Sequence, residues 1–122
     1  MAGCRTLVID DDPDMAFLAA ETIRLANHGL TVIGVVHSGA DAMEFVKDAD
    51  VVVLDFRMPD RDGLAVAADI FAVAPDMNIV LYSAYLDVDT VGAATRIGIR
   101  ECVSKADVHD LPAVVRRNCP AA

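Results

Sequence analysis

The chain lacks any apolar run of about 18 residues, the length a membrane-spanning helix requires, although 55% of its 122 residues are apolar. Its opening residues, Met1-Ala2-Gly3-Cys4-Arg5, lack a basic region followed by a long apolar segment, so no export signal is predicted and a cytoplasmic location is expected. Cysteine is scarce. Cys4, Cys102 and Cys119 are odd in number, widely spaced and without a CxxC pair, which supports neither a disulfide framework nor a zinc knuckle and leaves reduced thiols as the simplest reading. Positive charge is also short: 10 Lys and Arg against 19 Asp and Glu give a formal charge of −9. Nucleic-acid affinity depends on Lys and Arg displacing phosphate counterions, so direct DNA binding is not expected. The small group Arg116-Arg117 beside Asn118 is explained by a helix end, where cations complement the macrodipole.

Histidine offers no metal site either, since His28, His37 and His109 stand far apart. Asp60-Arg61-Asp62-Gly63 carries a fragment of calcium-loop spacing without the closing glutamate. No repeat, low-complexity segment or linker interrupts the sequence. Residues 1–122 are therefore expected to form one domain, with no effector domain in this chain.

Short strand-like runs alternate with longer helical ones five times, which predicts an α/β fold with a mainly parallel sheet. The strands are expected at Arg5–Ile9, Leu30–Val36, Val51–Leu54, Asn78–Tyr82 and Glu101–Ser104. The first, third and fourth are almost continuously aliphatic, as strands covered on both faces are. Leu30–Val36, with Thr31 and Gly34, and the short Glu101–Ser104 are expected at the edges.

The helices between them have legible ends. Asp12 precedes Pro13, a cap followed by a residue whose missing N–H costs nothing there. Met15, Leu18, Thr22 and Leu25 recur at helical spacing, with Ala19 and Ala26 beside them, and Asn27-His28-Gly29 ends the run. Ser38 with Asp41 opens a second helix. Leu64, Ala67, Ala68 and Phe71 form the expected buried stripe of a third, closed by Ala74-Pro75. A fourth over about Asp87–Ile97 has only a ragged stripe of Val88, Val91 and Ala94, which suggests a loosely held element, and a fifth is expected over Val108–Asn118 with Pro112 in its first turn.

In open α/β sheets, ligands bind beyond the carboxyl ends of the strands where chain order reverses. With the edge assignments above, right-handed crossovers place Asp10 and Asp11 beside Asp55 at that point. Close carboxylates repel by about 4 kcal/mol per pair at an effective dielectric near 20, unless a cation or proton intervenes. Oxygen-only ligands and an incomplete carboxylate set suit Mg2+ or Mn2+. Ser83 follows Ile79-Val80-Leu81-Tyr82 and Lys105 follows the fifth strand, so a hydroxyl and an amine join the same edge. A carboxylate nucleophile, a metal, a hydroxyl and an amine are the parts needed to accept a phosphoryl group.

These residues carry a family resemblance over essentially the whole length. Leu7-Val8-Ile9-Asp10-Asp11-Asp12-Pro13, Val53-Leu54-Asp55-Phe56-Arg57-Met58-Pro59 with Asp62-Gly63, then Ser83-Ala84 and Lys105 resemble the receiver domain of bacterial two-component response regulators. The resemblance implies a doubly wound five-stranded parallel sheet, order 2-1-3-4-5, in a flavodoxin-like three-layer sandwich. It implies Asp55 as phosphoacceptor, Asp11 as direct Mg2+ ligand, Asp10 binding mainly through water, the backbone carbonyl of Arg57 as a further ligand, and Ser83 and Lys105 as partners of the phosphoryl group. The implied partners are a sensor histidine kinase or phosphotransfer protein and an output protein. The chain would catalyse only its own phosphorylation and dephosphorylation.

Two positions depart from the family pattern. Cys102 stands where the switch aromatic is usual, three residues before the lysine, and Ala106 replaces the proline that often follows it. Tyr85 is a candidate substitute gate. Bulky Arg57 and Tyr85 flank the site, which predicts slow loss of the phosphoryl group. Cys102 can be read as a redox sensor or as a small buried strand residue. The departures also admit a pseudo-receiver that binds partners without phosphorylation. A phosphohydrolase is disfavoured, because the second acid expected two residues after the nucleophile is Arg57.

Overall fold

The computed structural model describes residues 3–26, 29–58 and 61–120. Five parallel strands, β1 (Cys4–Ile9), β2 (Leu30–Val36), β3 (Val51–Asp55), β4 (Asn78–Ser83) and β5 (Glu101–Ser104), form one sheet in the order β2-β1-β3-β4-β5. The expected edges are the observed ones. β1, β3 and β4 each run one residue further than expected: β1 starts at Cys4, β3 ends on Asp55 and β4 on Ser83.

Alternation along the strands splits the interior into two layers. Leu7, Ile9, Val52, Leu54, Ile79 and Leu81 face one side, under α2 (Gly39–Ala42), α3 (Gly63–Val73) and α4 (Val88–Ile97). Val8, Val51, Val53, Val80, Tyr82 and Val103 face the other, under α1 (Pro13–Ala26) and α5 (Leu111–Arg117). A single-turn 3-10 helix, Val46–Asp48, follows α2, and a longer one, Lys105–Asp110, leads into α5. The fifth expected helix is thus a 3-10 segment and a shorter α-helix, with Pro112 in the first turn of the latter.

The caps expected at Asp12 and Ser38 form, and Asp62 and Asp87, not singled out as caps from sequence, cap α3 and α4. Asp12 Oδ1 accepts from the amides of Asp14 and Met15, Ser38 Oγ from Asp41, Asp62 Oδ1 from Ala65 and Asp87 Oδ1 from Thr90. Asn27 and His28, in the expected stop of α1, lie outside the described residues.

The buried stripe of α1 is offset from expectation by one residue, about 100° around the helix. Ala16, Ala19, Ala20 and Ile23 are buried, whereas Leu18 and Leu25 are exposed. Small residues let the helix sit close on the sheet, and the larger side chains project outward. In α3 the buried set is Gly63, Val66, Ala67 and Ile70; Ala68 is exposed, and Leu64 and Phe71 pack at the margin. Only Ala94 of α4 is buried, in keeping with its weak stripe.

The reading of three reduced thiols is overturned. Cys4 and Cys119 are joined by a disulfide, with Cα atoms 6.0 Å apart and a sequence separation of 115. Cys4 opens β1 and Cys119 follows α5, which runs back toward the amino ends of the strands and packs on α1. Docking of the last helix brings the two sulfurs together, and no local spacing records it. Cys102 is the free cysteine among the described residues.

Candidate functional site

β1 and β3 are register partners through Ile9 and Leu54, so the next residues, Asp10 and Asp55, emerge side by side at the carboxyl edge. Asp55 is paired with Tyr82 and Tyr82 with Val103. By alternation all four side chains in this row lie on the α1/α5 side of the sheet.

Asp10 is 2% exposed and Asp55 5%, both unusual for carboxylates. One oxygen from each of Asp10, Asp11 and Asp55 can lie within 4.8 Å of the others. Lys105 Nζ donates to Asp10 Oδ2 at 2.7 Å and lies 3.2 Å from Asp55 Oδ1. Asp10 Oδ1 accepts from the Asp12 amide at 2.9 Å, so both oxygens of Asp10 are engaged within the protein. Asp11 is only half-buried and is free of such bonds among the described residues.

One ammonium does not balance this group. Burial, followed by the charge of Asp10, pushes the Asp55 carboxyl up to about 6, against the pull of Lys105. Burial works against the Lys105 charge, but hydrogen bonding to Asp10 and the charges of both carboxylates outweigh it and raise its pKa. A buried oxygen-only set with excess negative charge fits a hard divalent cation. Asp12, Arg57, Ser83 and Ala84 complete the lining of the cleft.

The loop after Asp55 returns tightly: the Gly63 amide donates to Phe56 O at 2.6 Å. A Cβ at Gly63 would stand 2.5 Å from the Asp55 carbonyl oxygen, so a side chain there would displace the backbone that carries the central carboxylate. Pro59 and Asp60 of the same loop lie outside the described residues.

Ser83 is buried, and its hydroxyl is turned onto its own loop. It donates to Tyr85 O at 3.0 Å and accepts from Tyr85 N at 3.3 Å. Tyr85 itself is 64% exposed. Ala106 has a local role that proline cannot fill: its amide donates to Ser104 Oγ at 3.2 Å, fixing the start of the segment that carries Lys105. Cys102 is half-buried and packs against the α3/α4 side of the core. Burial, then the charge of Glu101, pushes its thiol pKa up, the opposite of the activation a redox-sensing thiolate needs.

The structure therefore gathers Asp10, Asp11, Asp55, Arg57, Ser83 and Lys105, every site residue expected from sequence, around one cleft. It adds Tyr82, which the sequence reading treated only as part of a strand. Lys105 Nζ lies over the Tyr82 ring, 5.7 Å from its centroid. Strand parity is the signal that finds it, because position 82 shares a face and a register with position 55.

Residues 6–116 match the family described as response regulator receiver domain. The chain is 31% identical over 101 residues to the transcriptional regulatory protein GlrR of Escherichia coli K12, covering 81% of this chain and 22% of that protein. It is 32% identical over 114 residues to the C4-dicarboxylate transport transcriptional regulatory protein DctD of Rhizobium meliloti, covering 89% and 24% respectively. The chain thus spans about a quarter of the length of these curated relatives. Among solved structures, the signal receiver domain of the response regulator NarL from Mycobacterium tuberculosis superposes with a TM-score of 0.86 at 28% identity, covering 96% of each chain.

Proposed function

The chain belongs to the response regulator receiver domain family, and on that premise we propose that it is a phosphorylation-controlled switch whose phosphoacceptor is Asp55. The observation that carries this reading is the buried, charge-crowded Asp55 at the carboxyl edge, with Lys105 Nζ 3.2 Å from its Oδ1. With a pKa near 6 the carboxylate is ionised at neutral pH and available as a nucleophile.

A carboxylate oxygen of Asp55 forms the new O–P bond as the bond from phosphorus to the donor nitrogen breaks, and the donor imidazole keeps that electron pair. Lys105 stands where it can pair with the incoming equatorial oxygens. Ser83 reaches the phosphoryl group only by giving up its two bonds to the Tyr85 backbone, which ties the β4–α4 loop to the state of Asp55. Asp11, with oxygens free of bonds among the described residues, would hold a cation directly, Asp10, with both oxygens engaged, would act through water, and Arg57 would contribute its carbonyl. Mg2+, or Mn2+ in its place, supplies neutralisation of the phosphoryl charge when bound.

The donor on this reading is a sensor histidine kinase or phosphotransfer protein, and the output is contact with another protein or domain, without direct nucleic-acid binding by residues 1–122. Those residues act as one receiver unit, and the chain catalyses only its own modification. None of the described helices is long and apolar enough to cross a membrane, and the kinase chemistry favours a cytoplasmic location. In a reducing cytoplasm Cys4 and Cys119 would stand as a proximal dithiol. Arg57 in the lining of the cleft, with the exposed Tyr85 two residues beyond Ser83, supports slow hydrolysis of the aspartyl phosphate.

Acetyl phosphate with Mg2+, followed by intact-mass measurement, tests the reading. Wild type should gain one phosphoryl group and Asp55→Asn none. A wild-type chain that stays unmodified, with or without a partner kinase, would leave the pseudo-receiver alternative in its place.

A further inference from the structure

We propose that Tyr82 is a positioning residue that holds the Lys105 ammonium facing Asp55, an inference that rests on the phosphoacceptor reading above. Three groups surround that ammonium: Asp10 Oδ2 at 2.7 Å, Asp55 Oδ1 at 3.2 Å and the Tyr82 ring, whose centroid is 5.7 Å away. The first two are oxygen donors, and a divalent cation competes for oxygen. An aromatic face attracts an ammonium through its quadrupole and offers nothing to a hard metal. When the carboxylate charge is taken up by a cation, the ring is the partner that Lys105 keeps.

The placement follows from the strand pattern. Tyr82 interrupts an otherwise aliphatic run, Ile79-Val80-Leu81, at the one position of β4 paired with Asp55. Its ring is 1% exposed and packed in the α1/α5 layer, so it cannot swing away from the lysine without opening the core. Lys105 is itself only 11% exposed, and a desolvated cation gains more from a ring than one in water. The Tyr82 hydroxyl is buried with no hydrogen-bond partner among the described residues, and the contact with Lys105 is made by the ring face.

The test compares three residues at position 82 in the intact chain. Tyr82→Phe keeps the ring face and should take up phosphoryl from acetyl phosphate at the wild-type rate. Tyr82→Leu removes the face and should slow uptake by about thirtyfold, the scale of one desolvated cation–π contact. A fluorinated phenylalanine at the same position, with the same shape but a less negative face, should fall between them while thermal stability stays with Tyr82→Phe. A second readout needs neither metal nor phosphoryl donor: in the NMR spectrum of the wild-type protein the Lys105 side-chain protons should be shifted upfield by the ring, and Tyr82→Leu should abolish that shift.

Equal uptake rates for wild type, Tyr82→Leu and the fluorinated variant would overturn the proposal, as would the absence of a ring shift at Lys105. If Tyr82→Leu does not fold, the fluorinated variant and the wild-type spectrum decide alone. No mass gain on wild type would instead sink the phosphoacceptor reading and this inference with it, so the two failures are distinct.

Discussion

At the amino ends of the strands, opposite charges and covalent chemistry meet. Arg5 donates its amide to Asp50 Oδ2 at 2.8 Å and pairs with the same carboxylate through its guanidinium; Glu101 pairs with Arg117 and accepts from Asn118; and the Cys4–Cys119 disulfide ties β1 to the segment after α5. At the carboxyl ends, three carboxylates share one lysine. The effect on acidity differs in sign. The bonds from Arg5 outweigh burial at Asp50 and lower its pKa, and Arg117 lowers that of Glu101, while burial and Asp10 raise that of Asp55. The same sheet thus carries a satisfied end and a frustrated one. On the proposed function, the first end stabilises a fold whose second end holds charge that binding or modification would relieve.

The largest break in this comparison should come from the disulfide. Closing a loop of 115 residues restricts the unfolded chain by about 4–5 kcal/mol in the chain-entropy account. Cys119→Ser, or a reductant, should lower the urea-unfolding free energy by that order and leave the Asp55 mass gain intact. An unchanged urea midpoint under reduction would remove the covalent staple from the account of the amino end.

A smaller effect of opposite sign is expected at the other end. Asp55 binds its proton more tightly folded, at about 6, than unfolded, near its ordinary value of 3.8. Its linked stability is therefore fully present below the unfolded value and lost as pH rises through the folded one. Asp55→Asn should stabilise the metal-free protein above pH 6 by on the order of 2 kcal/mol, with the gain fading toward pH 4. Urea titrations at the two pH values measure it. A gain independent of pH would mean that charge crowding is not its source.

The smallest effect sharpens what holds the satisfied end. Arg117→Ala removes an ion pair whose arginine side chain is 60% exposed, and such pairs contribute little. The urea midpoint should not move measurably. A clear drop would assign more of that end to charge and less to the disulfide.

The strands and the site were legible for one physical reason: a carboxylate, hydroxyl or amine ending an aliphatic run has few places to go but the sheet's edge. Asp10, Asp55 and Ser83 follow such runs, Lys105 follows a short mixed strand, and the four together mark the site. The α1 stripe was misread because Leu18 and Leu25 weigh more in a hydropathy pattern than Ala16 and Ala20, which the close helix–sheet contact selects together with Ala19. The disulfide left no local trace, since it depends on where α5 docks. Tyr82 was hidden by its own hydrophobicity. Only the register of β4 against β3 makes it a neighbour of the site.

Helix α4 follows the loop whose backbone at Tyr85 is bonded to the Ser83 hydroxyl, and Ala94 is its only buried residue. Seen mechanically, it is a lever with a soft mount. Displacing it uncovers little apolar surface, so the work opposing its motion is small beside that needed to shift α1 or α3. A rearrangement at the Ser83 hydroxyl, worth no more than two hydrogen bonds, is then commensurate with the load it has to move.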